Sequence, residues 1–286
     1  MTKKKKIRLT IVGIIITIVG ILAYEFLWGK LFPFTPIIIG FTKYELPHTN
    51  IYVQKGTYYS DLRRIDTLIP KVENFHELRF LYKPKIFVFR DSISFIQHSL
   101  SKARFCVYPN SRLFISPWAQ REDIAGKISL EIYLHHELSH SLLDQHAGFI
   151  NAYYYPKWLM EGVAVYSSNQ MGTSFYPSKS ETYQYIYQGN FLPLLDFKTK
   201  KEDTTKLNVK YRIPFMYSEF ACIVDYLRET YGKEKLLTFM KRLLKNSDND
   251  EVFMEVYNIE FSEVIQNFKN RVTENEDQLV LQEQDI

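Results

Sequence analysis

The sequence predicts an α+β fold behind an N-terminal apolar helix, and three observations carry that reading. Strand-like segments rich in β-branched and aromatic residues all lie before residue 117, helical periodicity dominates after it, and an uncharged apolar run occupies residues 9–24. At 286 residues, 46% apolar and 24% charged, the chain has the balance of a globular protein, with 21 Tyr and 21 Phe to fill a core or line a groove.

Lys3, Lys4, Lys5, Lys6 and Arg8 precede the apolar run, which Phe26, Leu27 and Trp28 extend past Glu25. A bilayer core takes about 20 mostly apolar residues, and residues 7–28 meet that if Arg8 reaches back to the headgroups and Trp28 sits at the opposite interface. The expectation is an uncleaved transmembrane anchor over residues 1–30, its basic end cytoplasmic and the rest of the chain extracytoplasmic. A cleaved signal peptide is the alternative. It would have a shorter apolar region, and only Ile21-Leu22-Ala23 resembles a cleavage triplet. Residues 1–30 hold six Lys/Arg and one acid, leaving 30 basic and 31 acidic residues elsewhere. The remainder is near neutral and offers no footprint for nucleic acid.

Two prolines and a glycine in "KLFPFTPIIIG" mark residues 31–47 as an extended juxtamembrane linker. "NIYVQKG" and "KIFVFR" read as strands, with a helix between them over residues 60–76. "RFCVY" and "RLFIS" flank the turn signal "PNS" and read as a hairpin, ended by Pro117. A helix follows over residues 121–146, with a break at Gly126 and a stop at Gly148. "YPKWLMEGVAVYSS" opens a further helix at Pro156. A lysine-rich loop spans residues 197–210, helices run from Phe215 onward, and residues 272–286 form an acidic tail expected to fray. Cys106 and Cys222 are too few for a disulfide scaffold, and their pairing stays open.

Inside "LHHELSHSLLDQH", His136, Glu137 and His140 form an H-E-x-x-H pattern. Residues four apart on a helix stand about 40° from each other, so both imidazoles present themselves to one point, which suits a tetrahedral Zn2+. Glu137 is turned about 100° from His136, beside the ion, where it can take a proton from a zinc-activated water. For a third ligand, His146 stands where metzincins place a histidine. Their arrangement needs a glycine that turns the chain, and Leu143 occupies that position here. On a continuing helix His146 lies about 240° around from His140 and points away. Glu161, with 20 residues between it and His140, sits on a separate helix that can aim a carboxylate at the ion.

"HELSH" followed by "WLMEGVAVY" resembles the gluzincin metallopeptidases, in particular the peptidase MA-like group of thermolysin-like fold, where a W-L-x-E-G-x-A segment delivers the glutamate ligand. The likeness covers roughly residues 48–270. It implies a catalytic domain over residues 48–271, with a small N-terminal sheet plus helices and a helical C-terminal lobe. It also implies His136, His140 and Glu161 as zinc ligands, Glu137 as general base, and Tyr217 as a phenol that donates to the developing oxyanion. The strand at residues 112–116 resembles the edge strand that pairs with extended substrate. One departure stands out. Thermolysin carries an acid four positions after its glutamate ligand, behind the first zinc histidine, and this chain has Val165. Asp144, one turn past His140, is a candidate replacement. The expected function is a membrane-anchored zinc metallopeptidase acting on a peptide or protein substrate. The rival is a non-catalytic membrane-tethered binding protein on a peptidase-like scaffold, which loss of Glu137 would have favoured.

Overall fold

The structure, a computed structural model, describes residues 2–57, 62–192 and 205–284. Helix α1 (Lys3–Trp28) buries none of its side chains, and it is long and apolar enough to cross a membrane. Its two threonines return their hydroxyls to the helix's own carbonyls, Thr10 to Lys6 O at 3.1 Å and Thr17 to Gly13 O at 3.0 Å. Neither hydroxyl would face lipid unsatisfied were the helix to cross a bilayer.

A 3-10 turn (Phe32–Phe34) leads into β1 (Phe41–Glu45) and β2 (Asn50–Gln54). Helices α2 (Leu62–Asp66) and α3 (Leu68–His76) follow, then β3 (Lys85–Val88), α4 (Ser92–His98), β4 (Phe105–Tyr108) and β5 (Arg112–Ile115). The five strands form one sheet in the order β1-β2-β3-β5-β4, with the outer pairs antiparallel and the inner pairs parallel. Alternation along β5 divides two layers. Leu113 and Ile115 face a core shared with Leu134, Leu138 and Leu142, while Phe114 faces an aromatic layer with Phe32, Phe87 and Phe89.

That order corrects one expectation. The strand at residues 112–116 is interior, hydrogen-bonded on both sides; the free edge belongs to its hairpin partner β4. Hairpin signals are local, but which arm docks on β3 depends on side chains far along the chain.

Residues 31–47 are corrected as well. Phe32 is fully buried among Phe41, Phe87 and Phe114, and β1 pairs in register with β2 from Phe41↔Gln54 to Glu45↔Asn50. The buried Arg112 guanidinium donates to Phe32 O at 2.9 Å and to Thr35 O, and it lies over the Phe87 ring. The segment is part of the domain because aromatic burial and a charge-assisted clamp hold it there.

Helix α5 (Pro117–Ile124) starts at the proline that ends β5, capped by Ser116 Oγ accepting from Ala119 N. Gly126 takes φ +67 and breaks the helix, and Ser129 caps the next one, α6 (Leu130–Tyr154). At Gly148 (φ 69, ψ 174) the backbone leaves helical geometry, so the first helical stretch ends there as expected and a second runs on to Tyr154. Helices α7 (Lys157–Ser167), α8 (Lys179–Tyr187), α9 (Arg212–Tyr231), α10 (Lys233–Leu243), α11 (Asn249–Tyr257) and α12 (Phe261–Gln284) build the helical lobe. The expected fraying tail from residue 272 is instead the continuation of α12, held at its start by buried Val272. Residues 60–61 of the expected first helix and 197–204 of the expected loop lie outside the described residues. Cys106 and Cys222 are free and buried, in separate clusters.

Candidate metal centre

Helix α6 packs against the sheet through Leu134, Leu138 and Leu142. That face is fixed by burial, so His136 and His140 emerge together on the side turned towards α7. Helix α7 lies across α9, where Gly162 allows a close approach: a Cβ there would stand 2.7 Å from Phe220 O. The neighbouring Glu161 is thereby set opposite the two imidazoles.

The three ligand atoms form a nearly equilateral triangle. His136 Nε2 and His140 Nε2 are 3.0 Å apart, and Glu161 Oε2 lies 3.3 Å from the first and 3.4 Å from the second. Donors about 2.0–2.2 Å from a tetrahedral ion stand roughly 3.3–3.5 Å apart, so these atoms match one face of such a tetrahedron to within a few tenths of an ångström. Among the described residues, Glu161 Oε2 is buried without a hydrogen-bond partner. Two imidazoles and a carboxylate converging on one point, one oxygen otherwise orphaned, fit a divalent ion of zinc's preferences.

Charge follows the geometry. Burial would raise the Glu161 carboxyl, but His140 and His136 beside it hold it well below the usual carboxylate range. Burial would lower His140, yet Glu161, Glu137 and Asp144 raise it to about 9. The Glu137 carboxyl is pushed up by burial and by Glu161, against the two histidines. Glu137 makes no contact that would make it a fourth corner of the triangle. It lines the same cleft, of about 350 Å3, together with Val107 of the free edge strand and Tyr217.

Tyr217, near the start of α9, stacks on the His136 ring with centroids 6.5 Å apart and planes 21° from parallel. Burial first, then the Glu161 charge, raises its phenol, so it stays a hydrogen-bond donor. His146 lies off the site: its Nε2 is 2.8 Å from Arg79 O, on the other side of α6. Val165 is fully buried.

The group behind His136 is Gln170, a residue that sequence reasoning missed. Its Oε1 accepts from His136 Nδ1 at 2.8 Å, fixing the tautomer that turns Nε2 to the triangle. Gln170 sits in the turn after α7, where its backbone N–H donates to Val165 O at 3.0 Å. The absence of an acid at 165 signalled that some other group was needed, but no local pattern named it. Asp144 lines the cleft and its charge reaches His140, but His140 Nδ1 has no hydrogen-bond partner among the described residues.

No family model and no curated protein sequence matches the chain. Among solved structures, a two-domain M1 zinc metallopeptidase bound to L-arginine is similar over 81% of this chain, at 11% identity and a TM-score of 0.42. The match covers 50% of that structure.

Proposed function

We propose that the chain is a metal-dependent hydrolase, and more particularly a membrane-anchored zinc metallopeptidase of the gluzincin, thermolysin-like kind. The observation that carries the reading is the His136–His140–Glu161 triangle with Glu137 beside it in one cleft. His136, His140 and Glu161 hold Zn2+, and α1 anchors the domain on the extracytoplasmic side. A Zn2+ ion held by these three residues would supply Lewis acidity for the scissile carbonyl and for the attacking water. Glu137 accepts the proton of the attacking water and returns it to the leaving amine, a role favoured by its raised carboxyl. Tyr217 donates to the carbonyl oxygen as negative charge gathers on it. Gln170 keeps His136 in the ligating tautomer. The free edge of β4 beside the cleft supports an extended peptide as substrate, since a strand can add to it by backbone hydrogen bonds.

Metal content of the purified full chain tests the ligand set. Glu161→Ala should abolish stoichiometric zinc, and His146→Ala should leave it intact. The reverse pattern would refute the assignment. Full zinc with no hydrolysis of a broad peptide library, by wild type and Glu137→Gln alike, would favour the binding-protein reading instead.

A further inference from the structure

We propose that the outward face of α4 lies in the lipid interface of the bilayer that α1 crosses, so that the outer layer of the sheet rests on the membrane. The proposal depends on α1 being an uncleaved anchor. Helix α4 carries large apolar side chains on two faces, among Ser92, Ser94, Gln97 and His98. Phe95 and His98 face inward, against Phe89 and Phe32. Ile93 and Ile96, three residues apart, share the opposite face and stand 81% and 38% exposed, and Leu100, two residues past the helix's end, is 57% exposed. Large apolar side chains grouped on one surface mark a contact site, and among the described residues no other element covers these.

What covers it follows from where α1 meets the domain. Gln97, four residues after Ile93 on that outward face, donates to the Tyr24 hydroxyl at 3.1 Å. Lys30 Nζ donates to Ser99 O at 2.8 Å and to the carbonyl of Ile96. The stripe therefore runs beside the last turns of α1. With residues 7–28 filling the bilayer, Tyr24 and Trp28 stand at the outer interface, and a helix hydrogen-bonded to Tyr24 stands at the same depth. Exposed Phe34 continues the ledge: its ring meets Tyr108, whose hydroxyl accepts from Leu100 N. A short helix with apolar side chains at headgroup depth behaves as an interfacial helix. The ligand triangle, carried by α6 on the opposite face of the sheet, is then held at a set height above the lipid.

The experiment uses the full chain reconstituted in vesicles of phosphatidylcholine and phosphatidylglycerol, with a fraction of lipid brominated near the top of the acyl chain. Fluorescence quenching is read for Ile93→Trp, Leu100→Trp and, as a control near the C-terminal end of α6, Ile150→Trp, each against wild type. The part of the wild-type signal lost in Trp28→Phe reports the anchor separately. Both α4 tryptophans should be quenched at least about twofold more than the control, since interfacial side chains sit roughly 5–10 Å into the headgroup–acyl boundary. If the Trp28 share is quenched and the α4 positions match Ile150→Trp, the interfacial face is refuted while the anchor stands. An unquenched Trp28 share would refute the anchor and the proposal together. Unquenched α4 positions with a disulfide between copies at Ile93→Cys would make the stripe a contact between two chains, which also overturns it.

Discussion

Gly162 occupies the crossing of α7 and α9, one residue beyond Glu161, and Gly162→Ala tests whether that crossing sets the third ligand. The added Cβ would meet Phe220 O at 2.7 Å, Phe220 C at 2.8 Å and Val224 Cγ2 at 3.0 Å. The first two are backbone atoms that no rotamer change can clear. Ordinary contact needs the helices to part by roughly 0.5–0.8 Å, and overpacking of that size costs about 1–3 kcal/mol. At about 2–4 °C per kcal/mol, the melting temperature of the metal-free protein should fall by roughly 2–12 °C. Because Glu161 moves with α7, its distances of 3.3 and 3.4 Å to the histidines should lengthen. Zinc affinity, measured by competition with a chromophoric chelator, should weaken about 10- to 100-fold, the range seen when a ligand loses its positioning partner. Gly20→Ala is the matched control, since a Cβ there meets nothing within 4 Å and alanine is the better helix former. A Gly162→Ala protein with unchanged melting and unchanged zinc affinity would refute the account of how α7 places its carboxylate.

Four further outcomes are expected. Glu137→Gln removes the base and no ligand, so zinc should stay bound while peptide hydrolysis falls by roughly two to four orders of magnitude; Tyr217→Phe should cost about 10- to 1000-fold, mainly in turnover. Gln170→Leu removes the acceptor behind His136, and zinc affinity should drop about 10- to 100-fold with Glu161 still in place, read by the same chelator competition. His76, buried with Nε2 2.8 Å from Ser139 Oγ, is lowered to about 3 chiefly by burial, so between its ordinary value and about 3 the unfolded chain holds the extra proton. Its contribution therefore lowers stability as pH falls through that window, by about 1.4 kcal/mol per pH unit, and His76→Asn should flatten the acid limb of a melting-temperature profile; an unchanged limb would count against it.

How much of this was legible depended on the range of each signal. His136 and His140 were readable because helical spacing alone brings them together. His146 could be set aside because Leu143 keeps the helix going, and its nitrogen does face the Arg79 carbonyl instead. The strands at β2 and β3 and the β4–β5 hairpin showed in local pattern, but their order did not, since docking on β3 is decided across the fold. Phe32 sat among prolines that read as a linker, and its pocket is built by strands beginning some fifty residues later. Gln170 looked like an ordinary turn residue. Only the packing of α7 on α6 brings it behind His136. The polar composition after residue 272 hid the continuation of α12, which begins from one buried contact at Val272.

The free edge beside the cleft is short. Strand β4 runs only from Phe105 to Tyr108, roughly 13 Å at about 3.3 Å per residue. As a ruler it measures a stretch of about four residues, offering backbone groups on alternate positions and therefore only two or three hydrogen bonds to a visiting chain. So brief a grip cannot unzip a folded domain. On the proposed peptidase reading, a substrate would need a loose end or a slack loop, and selectivity among substrates would come from the side chains around the cleft. The same brevity protects the molecule, because an edge this short is a poor template for one copy to nucleate sheet growth on another.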